Sequence, residues 1–196
     1  DNLQASTTIS NYFAAEQLRL PVWLDLNVGQ NRTGITPGPA ALDLYAQLHT
    51  LPGLAPAGLH AYDGHLHDTD LEQRTERCNT AYEMVSALAE AITEKGLPAP
   101  PIIAGGTPTF PIHAQRDGIE CSPGTFVFWD WGYQQHLPEQ SFHYAALVLA
   151  RLISIPGDHL LCLDLGHKSV AAENPLPRVH FLNAPEAQPV SQSEEH

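Results

Sequence analysis

The segment Tyr62-Asp63-Gly64-His65-Leu66-His67 sets two histidines beside a glycine, a tyrosine and a carboxylate. A histidine near neutral pH can take or give a proton, so His65 or His67 suits acid–base work. The plain alternative is a polar loop. Further along, Ile102-Ile103-Ala104-Gly105-Gly106-Thr107-Pro108-Thr109 ends a short apolar run in two glycines and two threonines. Either the glycines make an ordinary turn or they form an anion cradle. Glycine lets backbone N–H groups approach a phosphate, and threonine adds hydroxyl donors. Ser122-Pro123-Gly124-Thr125 repeats the same chemistry, again with a simple Pro-Gly turn as the alternative. Arg32, one of seven arginines, lies in the loop Asn27-Val28-Gly29-Gln30-Asn31-Arg32-Thr33-Gly34. It is either a surface ion-pair partner or a cation held for a ligand.

These residues need elements to position them. Residues 22–28 (VWLDLNV) read as a buried strand, and the preceding helical stretch has Ser6 or Thr7 as its expected cap. Leu42, Tyr45 and Leu48 fall at helical spacing after Pro39, which suits a first turn. Residues 57–64 form the next expected strand, and 70–96 a long amphipathic helix stopped by Gly96. Residues 100–106 and 118–124 complete four strands. Strands alternating with helices predict a parallel sheet, whose ligands gather where strands end. All the polar loops above sit at such ends. Residues 142–171 are rich in Val, Ile and Leu and read as an antiparallel hairpin turning at Pro156-Gly157-Asp158. The expected organisation is a βα domain over 1–135 and the beginning of a β domain over 136–196.

A charge of −13, from 22 acids against 9 bases, opposes binding to nucleic acid or an anionic membrane. The three cysteines, Cys78, Cys121 and Cys162, are scattered and odd in number, which fits reduced thiols in a cytoplasmic protein.

Five blocks in order carry a resemblance: DLNVGQNRTGI, GLHAYDGHLH, IIAGGTPTF, ECSPGTFVFWD and CLDLGHKSV. Together they resemble the D-threonine aldolase and D-serine dehydratase family of alanine-racemase-like pyridoxal-phosphate enzymes. The terminal SEEH is similar to that family as well. The resemblance implies part of a (β/α)8 barrel followed by the start of a β domain. It implies a homodimer and a small D-3-hydroxy amino acid as substrate. It places the cofactor phosphate on Gly105, Gly106 and Thr107, with a second contact at Gly124 and Thr125. Arg32 falls near the ring oxygen of the cofactor. His65 or His67 falls near the substrate hydroxyl, and Tyr62 either shares that chemistry or faces the ring.

The chain departs from the family pattern in places. Ser122 stands where alanine racemases carry an arginine against the pyridine nitrogen, which counts against a simple racemase. The class needs a lysine that links covalently to the cofactor, yet Lys95 and Lys168, the two lysines present, lie outside the matching position. The family's metal ligands, for Mn or Zn, follow the SEEH segment, so no metal ligand is assigned here. The chain therefore reads as the middle of a longer enzyme, inactive by itself, with exposed sheet edges that favour association. A pyridoxal-phosphate lyase is the leading reading. A racemase and a non-catalytic pyridoxal-phosphate carrier are the alternatives.

Overall fold

The computed structural model describes residues 1–192. SEEH falls on 193–196, outside the described residues. The chain forms two compact units. One comprises residues 1–127 and 136–140, and the other 128–135 and 141 onward.

The first unit opens with α1 (Leu3–Ala15), followed by β1 (Leu20–Asp25), α2 (Pro39–Thr50) and β2 (Leu54–Ala61). It continues through α3 (Leu71–Glu94), β3 (Ile102–Ala104), the single turn α4 (Phe110–His113) and β4 (Ile119–Cys121). The four strands are parallel and ordered β1-β2-β3-β4. A doubly wound sheet would reverse its strand order at a switch point. Sequential order without reversal is the winding of a (β/α)8 barrel, of which this unit is a part.

Local rules explain most boundaries. Asp70 caps α3 by accepting from the Gln73 amide at 2.8 Å, and Gly96 follows the helix at φ +84°. Pro39 opens α2 as expected. The cap of α1 is Asn2, whose Oδ1 accepts from Ala5 N at 2.9 Å. Ser6 and Thr7, the expected caps, lie inside the helix and donate back to Asn2 O and Leu3 O. An asparagine four residues upstream supplies the acceptor first, so the helix begins there. β1 likewise starts before the expected strand and stops at Asp25; beyond it a single bridge joins Leu26 to Ile35.

The core lies between the sheet and its helices. Leu24, Leu59, Ile102 and Ala104 meet Leu44, Tyr45 and Leu48 of α2 and Val85, Leu88 and Ile92 of α3. Gly58 stands opposite Trp23, where the β1–β2 register shifts. A Cβ at Gly58 would fall 2.3 Å from Trp23 Cζ3 and 2.3 Å from Pro101 O, so only glycine fits beneath that indole. The opposite side of the strands is more open. There Asp25 and His60 are register partners, joined at 2.8 Å between Oδ1 and Nδ1.

The second unit contains the helical turn α5 (Trp131–His136), whose last residue belongs to the first unit, and an antiparallel pair, β5 (Leu152–Gly157) and β6 (Leu160–Leu163). This pair is shorter than the expected hairpin. Residues 142–151 take no regular structure, and the turn is Asp158-His159, with His159 at φ 62°. Pro156 and Gly157 sit at the end of β5 instead. Proline offers no ladder donor, and the register breaks between Ser154 and Gly157, leaving Pro156 unpaired. Among the described residues no helix is long and apolar enough to cross a membrane.

Candidate functional site

Strand register brings the chemistry together. β2 and β3 align Ala61 with Ala104, so Asp63 and Gly106, each two residues further on, meet. Asp63 Oδ1 accepts from the Gly106 amide at 3.0 Å and from the Thr109 hydroxyl at 2.6 Å. β3 and β4 align Ala104 with Cys121, so the GGT and PGT loops emerge side by side. The Thr107 and Thr125 hydroxyls lie 2.9 Å apart, and Phe126 N donates to Thr107 Oγ1 at 3.1 Å. A Cβ at Gly124 would meet nothing within 4 Å, so this edge of the loop pair is open. Gln140 Nε2 donates to Thr107 O at 3.0 Å from below.

The two glycines of the GGT loop face inward. Gly105 N donates to Ala61 O at 3.1 Å, and Gly106 N to Asp63. Both amides are thus engaged within the protein, rather than aimed at a phosphate as the sequence suggests. Their role in the fold is conformational: Gly105 sits at φ +89°, where an added Cβ would lie 2.9 Å from His113 Cδ2. A Cβ at Gly106 would lie 3.0 Å from the Tyr62 ring.

The loop after β1 folds against the loop after β2. The Arg32 guanidinium lies over the Tyr62 ring, 4.9 Å from its centroid. Asn27 Oδ1 accepts from the Gly29 and Asn31 amides and shapes this loop. A Cβ at Gly29 would fall 2.7 Å from His65 Nε2, so Gly29 admits that imidazole. His65 Nδ1 is buried without a hydrogen-bond partner among the described residues. Burial pushes the His65 pKa below its ordinary value, which favours the neutral base. His67 is exposed. The structure thus gathers Arg32, Tyr62 and His65 at one end of the sheet, and Thr107 and Thr125 at the same end. Ser122 donates to Gly105 O at 3.3 Å and buttresses the turn.

Lys95 lies away from these loops. Helices that connect parallel strands run back against them, so Lys95, which caps the end of α3, lies at the opposite end of the sheet. Its Nζ pairs with Asp43 at 3.2 Å on the surface. Lys168 belongs to the second unit.

A buried cluster went unnoticed in the sequence. Asp63, Cys78 and His113 bring their donor atoms within 4.8 Å of one another, close enough to hold an ion. His113 Nε2 is 2.9 Å from Asp63 Oδ2 and 3.3 Å from Cys78 Sγ. Desolvation, then the nearby Asp63 charge, push the Cys78 thiol up to about 11, so it stays protonated and unreactive. The spacing of His113 and Arg116, one helical turn apart, was the available hint.

Comparison with known proteins places this geometry. Residues 1–130 match the family model "Alanine racemase, N-terminal domain". A D-threonine aldolase of an Arthrobacter species is 30% identical over 178 residues, covering 88% of this chain and 47% of that protein. A 3-hydroxy-D-aspartate aldolase of Paracoccus denitrificans is 24% identical over 190 residues, covering 92% and 49%. The crystal structure of a D-threonine aldolase from Filomicrobium marinum superposes on the whole chain with a TM-score of 0.87 at 26% identity, covering 54% of that protein. The chain spans about half the length of the curated relatives it matches. A sequential parallel sheet with polar loops at its strand ends, matched by the family model across residues 1–130, shows that the chain belongs to the alanine racemase N-terminal domain family.

Proposed function

We propose that the whole protein is a pyridoxal-phosphate-dependent lyase that cleaves D-3-hydroxy amino acids, and that this chain supplies part of its cofactor site. The observation that carries the reading is the meeting of two Gly-Thr loops at the ends of β3 and β4, with 2.9 Å between the Thr107 and Thr125 hydroxyls. The open space beside Gly124 leaves room for a dianion there. Similarity to aldolases of D-threonine and of 3-hydroxy-D-aspartate supports the substrate class.

In this reading Thr107, Gly124 and Thr125 hold the phosphate through backbone amides and hydroxyls, since charge-assisted bonds are the strong ones. Gly105 and Gly106 shape the loop and leave the phosphate to their neighbours. Arg32 sets a cation beside the ring oxygen, and Tyr62 braces Arg32 from below. When bound, the cofactor supplies a conjugated ring that accepts the electron pair left on Cα. His65, neutral because it is desolvated, removes the β-hydroxyl proton. The C–O bond then becomes a carbonyl as Cα–Cβ breaks, and an aldehyde departs.

The same site can instead expel the hydroxyl, which is dehydration. A panel of D-threonine, D-3-hydroxyaspartate, D-serine and D-alanine, run on the full-length protein with added cofactor, tests the assignment. Glycine and an aldehyde from D-threonine are the expected products. Formation of an oxo acid and ammonia from D-serine alone would reassign the enzyme as a dehydratase. Interconversion of D- and L-alanine without cleavage would make it a racemase.

A further inference from the structure

We propose that Arg116, His113 and Asp63 form a one-way hydrogen-bond relay that sets the Gly105–Thr107 turn, making all three positioning residues for the anion loop. The inference rests on the cofactor reading above only for the identity of the ligand.

The direction follows from donor chemistry. Arginine has donors and no acceptor. Arg116 NH1 lies 2.9 Å from His113 Nδ1, so Nδ1 is the acceptor and the ring proton sits on Nε2. Nε2 then donates to Asp63 Oδ2 at 2.9 Å. The other oxygen, Oδ1, takes the Gly106 amide at 3.0 Å and the Thr109 hydroxyl at 2.6 Å. Asp63, Thr109 and His113 are 2%, 0% and 2% exposed, so water does not compete for these bonds. Arg116 is itself fixed: NH2 donates to Asn79 at 2.6 Å, and its Cζ lies 4.4 Å from the Tyr82 ring centroid. The relay thus runs from α3 through α4 to the Gly106 amide of the loop.

The same polarity disfavours a metal ion in this cluster. An ion on Nε2 would move the ring proton to Nδ1, which then faces the Arg116 donors. Metal-bound histidines instead direct that N–H at an acceptor. The protonated Cys78 is also the wrong form for a ligand.

Asp63→Asn puts a donor where only acceptors work. Its amide nitrogen must face either His113 Nε2–H or the Gly106 and Thr109 donors, and no flip serves both. In the full-length protein this change is expected to weaken pyridoxal phosphate about tenfold or more, the loss typical of a broken charged hydrogen bond. Affinity for pyridoxal, which lacks the phosphate, is expected to stay near the parent value. His113→Gln keeps a donor and an acceptor in one amide and is expected to bind pyridoxal phosphate nearly as the parent does. His113→Leu keeps neither and is expected to follow Asp63→Asn. Adding Arg116→Ala to Asp63→Asn is expected to cost less than the sum of the two, because both act on one chain of bonds.

Two readouts on the unmutated protein need no ligand. Nitrogen NMR is expected to find the His113 proton on Nε2, and the Gly106 amide is expected to exchange slowly. A proton on Nδ1, stoichiometric zinc that Cys78→Ser removes, or parent-like binding of pyridoxal phosphate by folded Asp63→Asn would each overturn the relay. If the parent binds pyridoxal as tightly as pyridoxal phosphate, the cofactor reading fails, and the tautomer and exchange results alone decide the relay.

Discussion

His65→Ala is expected to slow bond breaking in the full-length enzyme by about two to four orders of magnitude while cofactor affinity holds, the usual signature of a lost general base. The imidazole sits against Gly29, and its Nδ1 is buried with no hydrogen-bond partner among the described residues. Desolvation is the largest influence on it and lowers its pKa from the ordinary 6.5. A base works while unprotonated, so a lowered pKa preserves activity to lower pH. The acidic limb of the rate profile should therefore lie below 6.5, with activity lost as pH falls through the lowered value. His67 is exposed, and His67→Ala is expected to turn over close to the parent rate. Single-turnover rates on D-threonine separate the two. Parent-like turnover by both variants would return these histidines to the status of loop residues.

Arg32→Ala is expected to act in the other way, through affinity first. It removes the cation over the Tyr62 ring and, in the proposed site, the partner of the ring oxygen. Losing a hydrogen bond to a charged group costs about 1.5–3 kcal/mol, so cofactor dissociation should rise roughly 10- to 100-fold, with turnover falling alongside. Tyr62→Phe keeps the ring that Arg32 rests on and should bind cofactor normally. Equilibrium dialysis or fluorescence titration gives both constants. Unchanged affinity in Arg32→Ala would make this arginine a surface residue stacked on a tyrosine.

The sheet was legible because each strand is bounded by strong punctuation. Asp70 and Gly96 bracket α3, Pro39 opens α2, and the glycine-threonine loops mark the ends of β3 and β4. Periodicity identifies which residues face the core, but it says nothing about register. The alignment of Ala61 with Ala104 is what carries Asp63 to Gly106, and no local pattern encodes it. For the same reason the Asp63–His113–Arg116 relay was invisible, its members lying on separate elements until β2 and β3 pair. In the sequence the loop glycines look like phosphate donors because glycine permits close approach. Their amides donate instead to Ala61 O, in continuation of the β2–β3 pairing, and to the Asp63 carboxylate. Residues 142–151 form no strand despite their aromatic and aliphatic side chains, because strand preference reflects packing against neighbours more than the backbone itself.

A crystal of this chain soaked in phosphate shows whether the ends of β3 and β4 hold an anion. A phosphate is expected within hydrogen-bond distance of the Thr107 and Gly124 amides and the Thr125 hydroxyl, lost on soaking crystals of a Gly124→Val variant. Phosphate bound at other sites while this loop pair stays empty at saturating concentration would contradict it.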